Sequence, residues 1–98
     1  MIRVVIPSNL RVLAKTQREN EIQVDGVPTI DAVLDALESE FPALRGTIRD
    51  HVTKKRRPFI RFFVSGEDWS HEPTDTPLPA PIANGEEPLY IIGAIAGG

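Results

Sequence analysis

The sequence has no cysteine among its 98 residues, and that absence removes disulfides, thiolate metal sites and cysteine nucleophiles together. Histidine is scarce: His51 and His71 lie far apart among polar neighbours, which reads as two solvated loop residues rather than a metal site. A strong charge of one sign is missing too. Eleven Lys and Arg against fourteen Asp and Glu leave a net charge of −3, too mild a balance to imply a polyanion, so no nucleic-acid partner is expected. Long hydrophobic runs are lacking. The opening "MIRVVIPSNL" has no long apolar core with a cleavage signal, and nothing approaches the length of a membrane span. The expected address is the cytoplasm, with no membrane contact.

What is present suffices for one domain over 1–98, of a size that buries roughly two-thirds of its unfolded surface. Ile2, Val4 and Ile6 alternate with Arg3 and Val5, a strand period that Pro7 ends. Leu10, Val12 and Leu13 form a small apolar cluster in the connection, and "EIQVDG" alternates again, with Ile22 and Val24 on one face and Gly26 as the stop. Strand, connection and strand at this length predict an antiparallel pair.

"PTIDAVLDALESEF" predicts a helix. Thr29 suits the N-cap, and Asp31 suits the positive end of the helix dipole. Ile30, Val33, Leu34, Leu37 and Phe41 recur at helical spacing, which leaves Asp35, Glu38 and Glu40 facing water. Pro42 stops or restarts the helix, and Leu44 and Ile48 pack a further turn around Gly46. The basic run "KKRR", Lys54 to Arg57, reads as a solvated loop that could steer an acidic partner.

"PFIRFFVSGED" is the third strand, with Ile60, Phe62 and Val64 on one face and Phe59, Arg61 and Phe63 on the other; "SGED" turns the chain. The stretch from Glu72 to Pro88 is proline-rich and aperiodic, a surface excursion with Leu78 and Ile82 tucked in. "LYII" is the last strand. Its near-continuous hydrophobicity suits the middle of a sheet, where it can lie parallel to the first. The sum is an α+β domain: a mixed sheet of four to five strands with one main helix packed across one face.

If Ile60, Phe62, Val64, Leu89 and Ile91 meet the helix, strand parity turns Phe63, Tyr90 and Ile92 away from it. Such an outward apolar cluster, with Arg61 at its rim, marks a protein interface. The alternative is that the excursion from Glu72 to Pro88 folds over it.

The last strand runs into "GAIAGG", residues 93–98, expected as a flexible tail. A β-pair, one helix, a strand closing on "VSGED", a "DTPL" loop, "ANGEE" and an apolar strand followed by "AIAGG" together resemble the ubiquitin-like β-grasp sulfur carriers of the MoaD/ThiS family. The similarity covers nearly the whole chain. "VVIPSNLR", the "GED" turn and "AIAGG" look most like the branch that includes the carrier of mycobacterial-type cysteine synthesis, and the small subunit of molybdopterin synthase is the other near relative. Ser65 stands where the family often has asparagine, and Gly93 where many members carry proline.

The resemblance implies that an ATP-dependent activating enzyme adenylates the carboxylate of Gly98 and that sulfur then displaces AMP to give a thiocarboxylate. It implies no bound cofactor, ATP being used by the activating partner, and no catalytic activity of the chain's own. Its partners would be that enzyme and a sulfur-acceptor biosynthetic enzyme, and the free chain would be a monomer. Gly97 and Gly98 carry no side chain into a narrow channel, and Ala94, Ile95 and Ala96 bring no charge to be desolvated there. Two other readings stay open: a ubiquitin-like modifier joined through Gly98 to lysines, and a non-covalent β-grasp adaptor.

Overall fold

The computed structural model describes residues 1–93. Its strands and helices are β1 (Ile2–Val5), α1 (Ser8–Ala14), β2 (Glu19–Ile22), α2 (Ile30–Glu40), β3 (Ile60–Val64), β4 (Glu67–Asp68), α3 (Ala80–Ala83) and β5 (Leu89–Gly93). The main helix, α2, starts as its sequence dictates. The Thr29 hydroxyl accepts the backbone N–H of Ala32 at 3.0 Å, satisfying one of the donors that a helix start leaves free, and Asp31 lies in the first turn. Ile30, Val33, Leu34 and Leu37 are all buried, each contributing roughly 1.5–3 kcal/mol by leaving water. Pro42 then opens a short 3₁₀ turn, Pro42–Leu44, and Leu44 and Ile48 are buried as expected.

The five strands form one mixed sheet in the order β2-β1-β5-β3-β4. β1 and β2 are antiparallel, with Ile2 opposite Ile22. β5 returns between β1 and β3. It runs parallel to β1, with Val4 opposite Leu89, and antiparallel to β3, with Phe62 opposite Ile91. Ile2, Val4, Ile22, Ile60, Phe62, Val64, Leu89 and Ile91 join the α2 stripe in one core cluster. This is the two-layer α+β arrangement of a β-grasp domain.

Several local expectations are corrected. The apolar cluster after Pro7 is a helix, α1, whose start at Pro7 accepts the N–H groups of Leu10 and Arg11, both at 3.0 Å. Leu10 is buried, while Val12 and Leu13 are exposed. Lys15 closes α1 in the left-handed region at φ 54°. With one buried side chain in seven residues, α1 gives periodicity too little length to register. β2 begins and ends earlier than expected, so Val24 lies beyond the strand, though packed on the core. β4 follows a two-residue turn at Ser65 and Gly66, both with positive φ (50° and 79°), the handedness a tight hairpin requires. Gly93, expected in the tail, is the last residue of β5.

Glu38 does not face water. It is 6% exposed and accepts from Arg49, which sits eleven positions along the chain. Leu78 and Ile82 are buried as anticipated, and the excursion carrying them adds α3. It runs beside the start of α2: the Leu78 N–H donates to Pro28 O at 2.9 Å and the Asp31 N–H to Thr74 O at 3.1 Å.

Candidate functional site

The sheet face opposite α2 is built from alternate residues of neighbouring strands. β3 and β5 place Phe63 directly opposite Tyr90 and Arg61 opposite Ile92, while the parallel ladder sets Val5 beside Tyr90. Phe63, Tyr90 and Ile92 therefore form one apolar strip, with Tyr90 37% and Ile92 41% exposed and Phe63 half-buried. That exposure decides between the two readings of this face: the excursion from Glu72 to Pro88 does not cover it. Arg61 pairs with Ile92 across the ladder, and its guanidinium reaches outward to Asp68 on the edge strand β4 at 3.4 Å.

Ion pairs bracket the strip on both flanks. On the β1–β2 side, Arg3 donates to both carboxylate oxygens of Glu19, Nε to Oε2 at 3.2 Å and Nη2 to Oε1 at 3.0 Å. It also donates to the backbone carbonyls of Gly85 and Glu86, tying β1 to the turn before β5. The Arg3 guanidinium holds the Glu19 carboxyl below the usual carboxylate range. On the other flank, hydrogen bonds from the Ser70 hydroxyl and N–H, followed by the charge of Arg61, hold the Asp68 carboxyl down. Both flanks thus keep their carboxylates ionised and occupied at neutral pH, and the apolar strip between them is the part left to make contact.

β5 ends beside Pro7. A groove of about 440 Å³ opens there, lined by Val5, Pro7, Arg11, Arg18, Tyr90 and Ile92 among others. A smaller cavity of about 240 Å³ lies between Asn9, Leu10, Phe59 and Gly93. Gly93 has space for a side chain, since an added Cβ would meet the Pro7 ring at an ordinary 3.6 Å. The sequence reading missed Arg11 and Arg18. Arg11 could have been found only by recognising α1, and Arg18 only from the register that sets its carbonyl on the Ile6 N–H.

Among the expected site residues, the structure brings Phe63, Tyr90, Ile92 and Arg61 together. Ala94, Ile95, Ala96, Gly97 and Gly98 lie outside the described residues. Among the described residues, no group of three or more His, Asp or Glu side chains could hold a metal ion, and no helix is long and apolar enough to cross a membrane.

Neither a protein-family model nor any curated protein matches the sequence. Solved structures do match. The Amycolatopsis orientalis BexX/CysO complex aligns at a TM-score of 0.77 with 23% identity, over 100% of both chains. Mycobacterium tuberculosis CysO, described as an antigen, aligns at 0.75 with 23% identity, over 97% of this chain and 100% of that one. SAMP1 from Haloferax volcanii aligns at 0.74 with 23% identity, over 98% of this chain and 97% of that one. End-to-end alignment at these scores, with β5 central and parallel to β1, makes this chain a ubiquitin-like β-grasp domain, the fold it shares with CysO and the small archaeal modifier.

Proposed function

We propose that the chain is a sulfur carrier, loaded at Gly98 and docked through its open sheet face. The observation that carries the reading is the position of β5. It is the central strand, held on both sides by β1 and β3, and at Gly93 it hands over to the sequence Ala-Ile-Ala-Gly-Gly. The strand that precedes this small and apolar sequence thus carries Tyr90 and Ile92 of an exposed apolar strip that a partner can bury. The resemblance to MoaD/ThiS carriers and the fold shared with CysO, one of whose structures is a complex with BexX, support the same reading.

In the reaction the Gly98 carboxylate oxygen attacks the α-phosphorus of ATP and pyrophosphate leaves, giving an acyl-adenylate. A carboxylate is a poor electrophile, and AMP is the leaving group that remedies this. Hydrosulfide then adds to the acyl carbon, AMP departs with the C–O electron pair, and the thioacid loses its proton. The product thiocarboxylate is ionised and soft at neutral pH, with the nucleophilic advantage a thiolate has over a thiol. The chain is substrate and delivery arm; the activating partner supplies the ATP chemistry and an acceptor enzyme takes the sulfur toward molybdopterin, cysteine, thiazole or another sulfur metabolite.

Covalent protein modification is the second reading, and the match to two small archaeal modifier structures favours keeping it. Both readings share the adenylation step. Incubation with ATP, the activating enzyme of the same cell and sulfide separates them. Exchange of one oxygen for sulfur on Gly98, seen by intact and tandem mass spectrometry, supports the carrier. Isopeptide-linked lysines without that exchange support the modifier. A non-covalent adaptor gives neither.

A further inference from the structure

Two guanidinium groups line the groove at the end of β5: Arg11, from the last turn of α1, and Arg18, from the residue before β2. Among the described residues neither makes an ion pair or a side-chain hydrogen bond, whereas the other arginines of this side of the molecule are engaged, Arg3 by Glu19 and Arg61 by Asp68. The carboxylate nearest Arg18 in sequence, Glu19, feels its charge but spends its oxygens on Arg3. The rest of the lining is mainly apolar, with Val5, Pro7, Tyr90 and Ile92 beside Ser8. The groove's volume, about 440 Å³, falls in the ordinary range for a binding cleft.

This combination has a definite chemical complement. An apolar lining calls for an apolar side chain, and two guanidinium groups without a hydrogen-bonded carboxylate call for carboxylates, which they bind in a planar, two-bond geometry. We infer that the groove docks an acidic segment of the protein that receives the tail, with an apolar residue seated on Pro7, Tyr90 and Ile92 and flanking carboxylates paired with Arg11 and Arg18. The identity of that protein as the activating partner rests on the carrier reading; the groove's preference for an acidic-apolar segment does not. Nucleic acid is disfavoured by the net charge of −3 and by the apolar lining, since phosphate binding needs cations more than apolar area.

The groove also lies at a fixed remove from the chemistry. Gly98 lies five positions beyond Gly93, a step of about 17 Å when the chain is extended. Arg11 and Arg18 are therefore positioning residues at the channel mouth. They set the register in which the tail enters, and surface charges of this kind act mainly on encounter and orientation.

The test uses the whole chain, isotopically labelled, titrated with a capped hexapeptide of sequence EDLFDE and followed by amide NMR shifts. Saturable shifts should gather at Val5, Ser8, Arg11, Arg18 and Ile92. Apparent affinity should fall several-fold on raising salt from about 0.05 to 0.3 M, as screening of exposed pairs demands. The double change Arg11→Glu with Arg18→Glu should abolish the shifts while the spectrum stays dispersed; Arg11→Lys with Arg18→Lys should keep binding within about tenfold, and separates charge from folding. Shifts that are absent, scattered, or unchanged on charge reversal overturn the inference. So does equal binding of EDGGDE, or stronger binding of a single-stranded oligothymidine at the same residues, which would assign the groove to nucleic acid. Because the titration contains no enzyme or ATP, a chain that binds EDLFDE yet never gains sulfur condemns the carrier reading alone.

Discussion

Arg49 clasps Glu38 with two hydrogen bonds, Nε to Oε2 at 3.0 Å and Nη2 to Oε1 at 3.1 Å, and both residues are buried, at 2% and 6% exposure. Asp35 and Asp31 complete the cage from the more exposed side of α2. The pair fastens the segment after the 3₁₀ turn to the helix. Burial makes Glu38 depend on Arg49, since without the guanidinium its carboxylate would be an uncompensated charge in the interior. Arg49→Met should cost about 3–5 kcal/mol, and Arg49→Met with Glu38→Leu should recover much of that loss. Urea unfolding at neutral pH measures both; equal midpoints for the single variant and the wild type would show the pair to be ornamental.

The helix core gives the second prediction. Leu34 and Leu37 are 1% and 0% exposed and sit between α2 and the sheet. Leu34→Ala or Leu37→Ala should cost about 2–5 kcal/mol, transfer and cavity terms together. A loss below about half a kcal/mol at both sites would contradict the packing described above.

What the sequence made legible follows from length and repetition. α2 is eleven residues with a cap and a full apolar stripe, and β3 alternates without a fault, so both could be read directly. Strand parity also put Phe63, Tyr90 and Ile92 on one face; the register that pairs Phe63 with Tyr90 and Arg61 with Ile92 came only with the structure. The failures are short or non-local. α1 buries one residue, and β4 is two residues long, below what any period can show. Glu38 looked solvated because α2 alone puts it on the polar flank; its partner arrives from a segment whose path no local signal specifies. Arg11 and Arg18 were overlooked for the same reason, since their shared groove exists only once α1 and the start of β2 meet the end of β5.

Acid should weaken the fold through surface carboxylates. Asp50, which accepts the N–H groups of Thr53 and Val52, is held below the usual carboxylate range chiefly by those bonds. Glu19, bonded by Arg3, and Asp68, bonded by Ser70, are held down likewise. A depressed folded-state value means the stabilisation is complete above the unfolded carboxyl range, near pH 4, and drains away as pH falls through the lower folded values. The melting temperature should therefore be flat from about pH 7 to 5 and decline below about pH 4. Asp50→Asn should make that decline shallower; a slope identical to wild type would remove Asp50 from the effect.

The docking face gives the fourth prediction. Phe63 pairs across the ladders with both Tyr90 and Asp68. Phe63→Asp puts a carboxylate into the apolar strip and a like charge opposite Asp68, without touching the helix-side core. The fold should survive, with an unchanged circular dichroism spectrum, while affinity for the activating enzyme falls tenfold or more, about 1.4 kcal/mol, because the new charge must be desolvated on docking. Calorimetric titration reads the change, and unaltered affinity would show that partners approach another surface.

The last prediction concerns the two residues that the carrier reading needs most. If sulfur is loaded on Gly98, its acyl carbon must sit against the α-phosphate of ATP while the domain is held at a fixed distance by the docked sheet face. Deleting Gly98, or adding one residue after it, shifts that carbon by about 3.4 Å, and reactions catalysed by positioning lose orders of magnitude to misplacements of this size. Either change should abolish the oxygen-for-sulfur mass gain while binding to the enzyme persists, since the docking strip is intact. Gly97→Val should impair loading by bulk and by restricting the backbone at a point where glycine is freest, with no loss of melting temperature because residue 97 follows the last strand in sequence. Gly93→Ala is the internal control: an added Cβ there meets only ordinary contacts with Pro7, so loading should stay near wild type. Under the adaptor reading all four variants behave alike. A graded series, with Gly93→Ala active, Gly97→Val impaired and both length changes dead, is the pattern that only a threaded, chemically reacting tail produces.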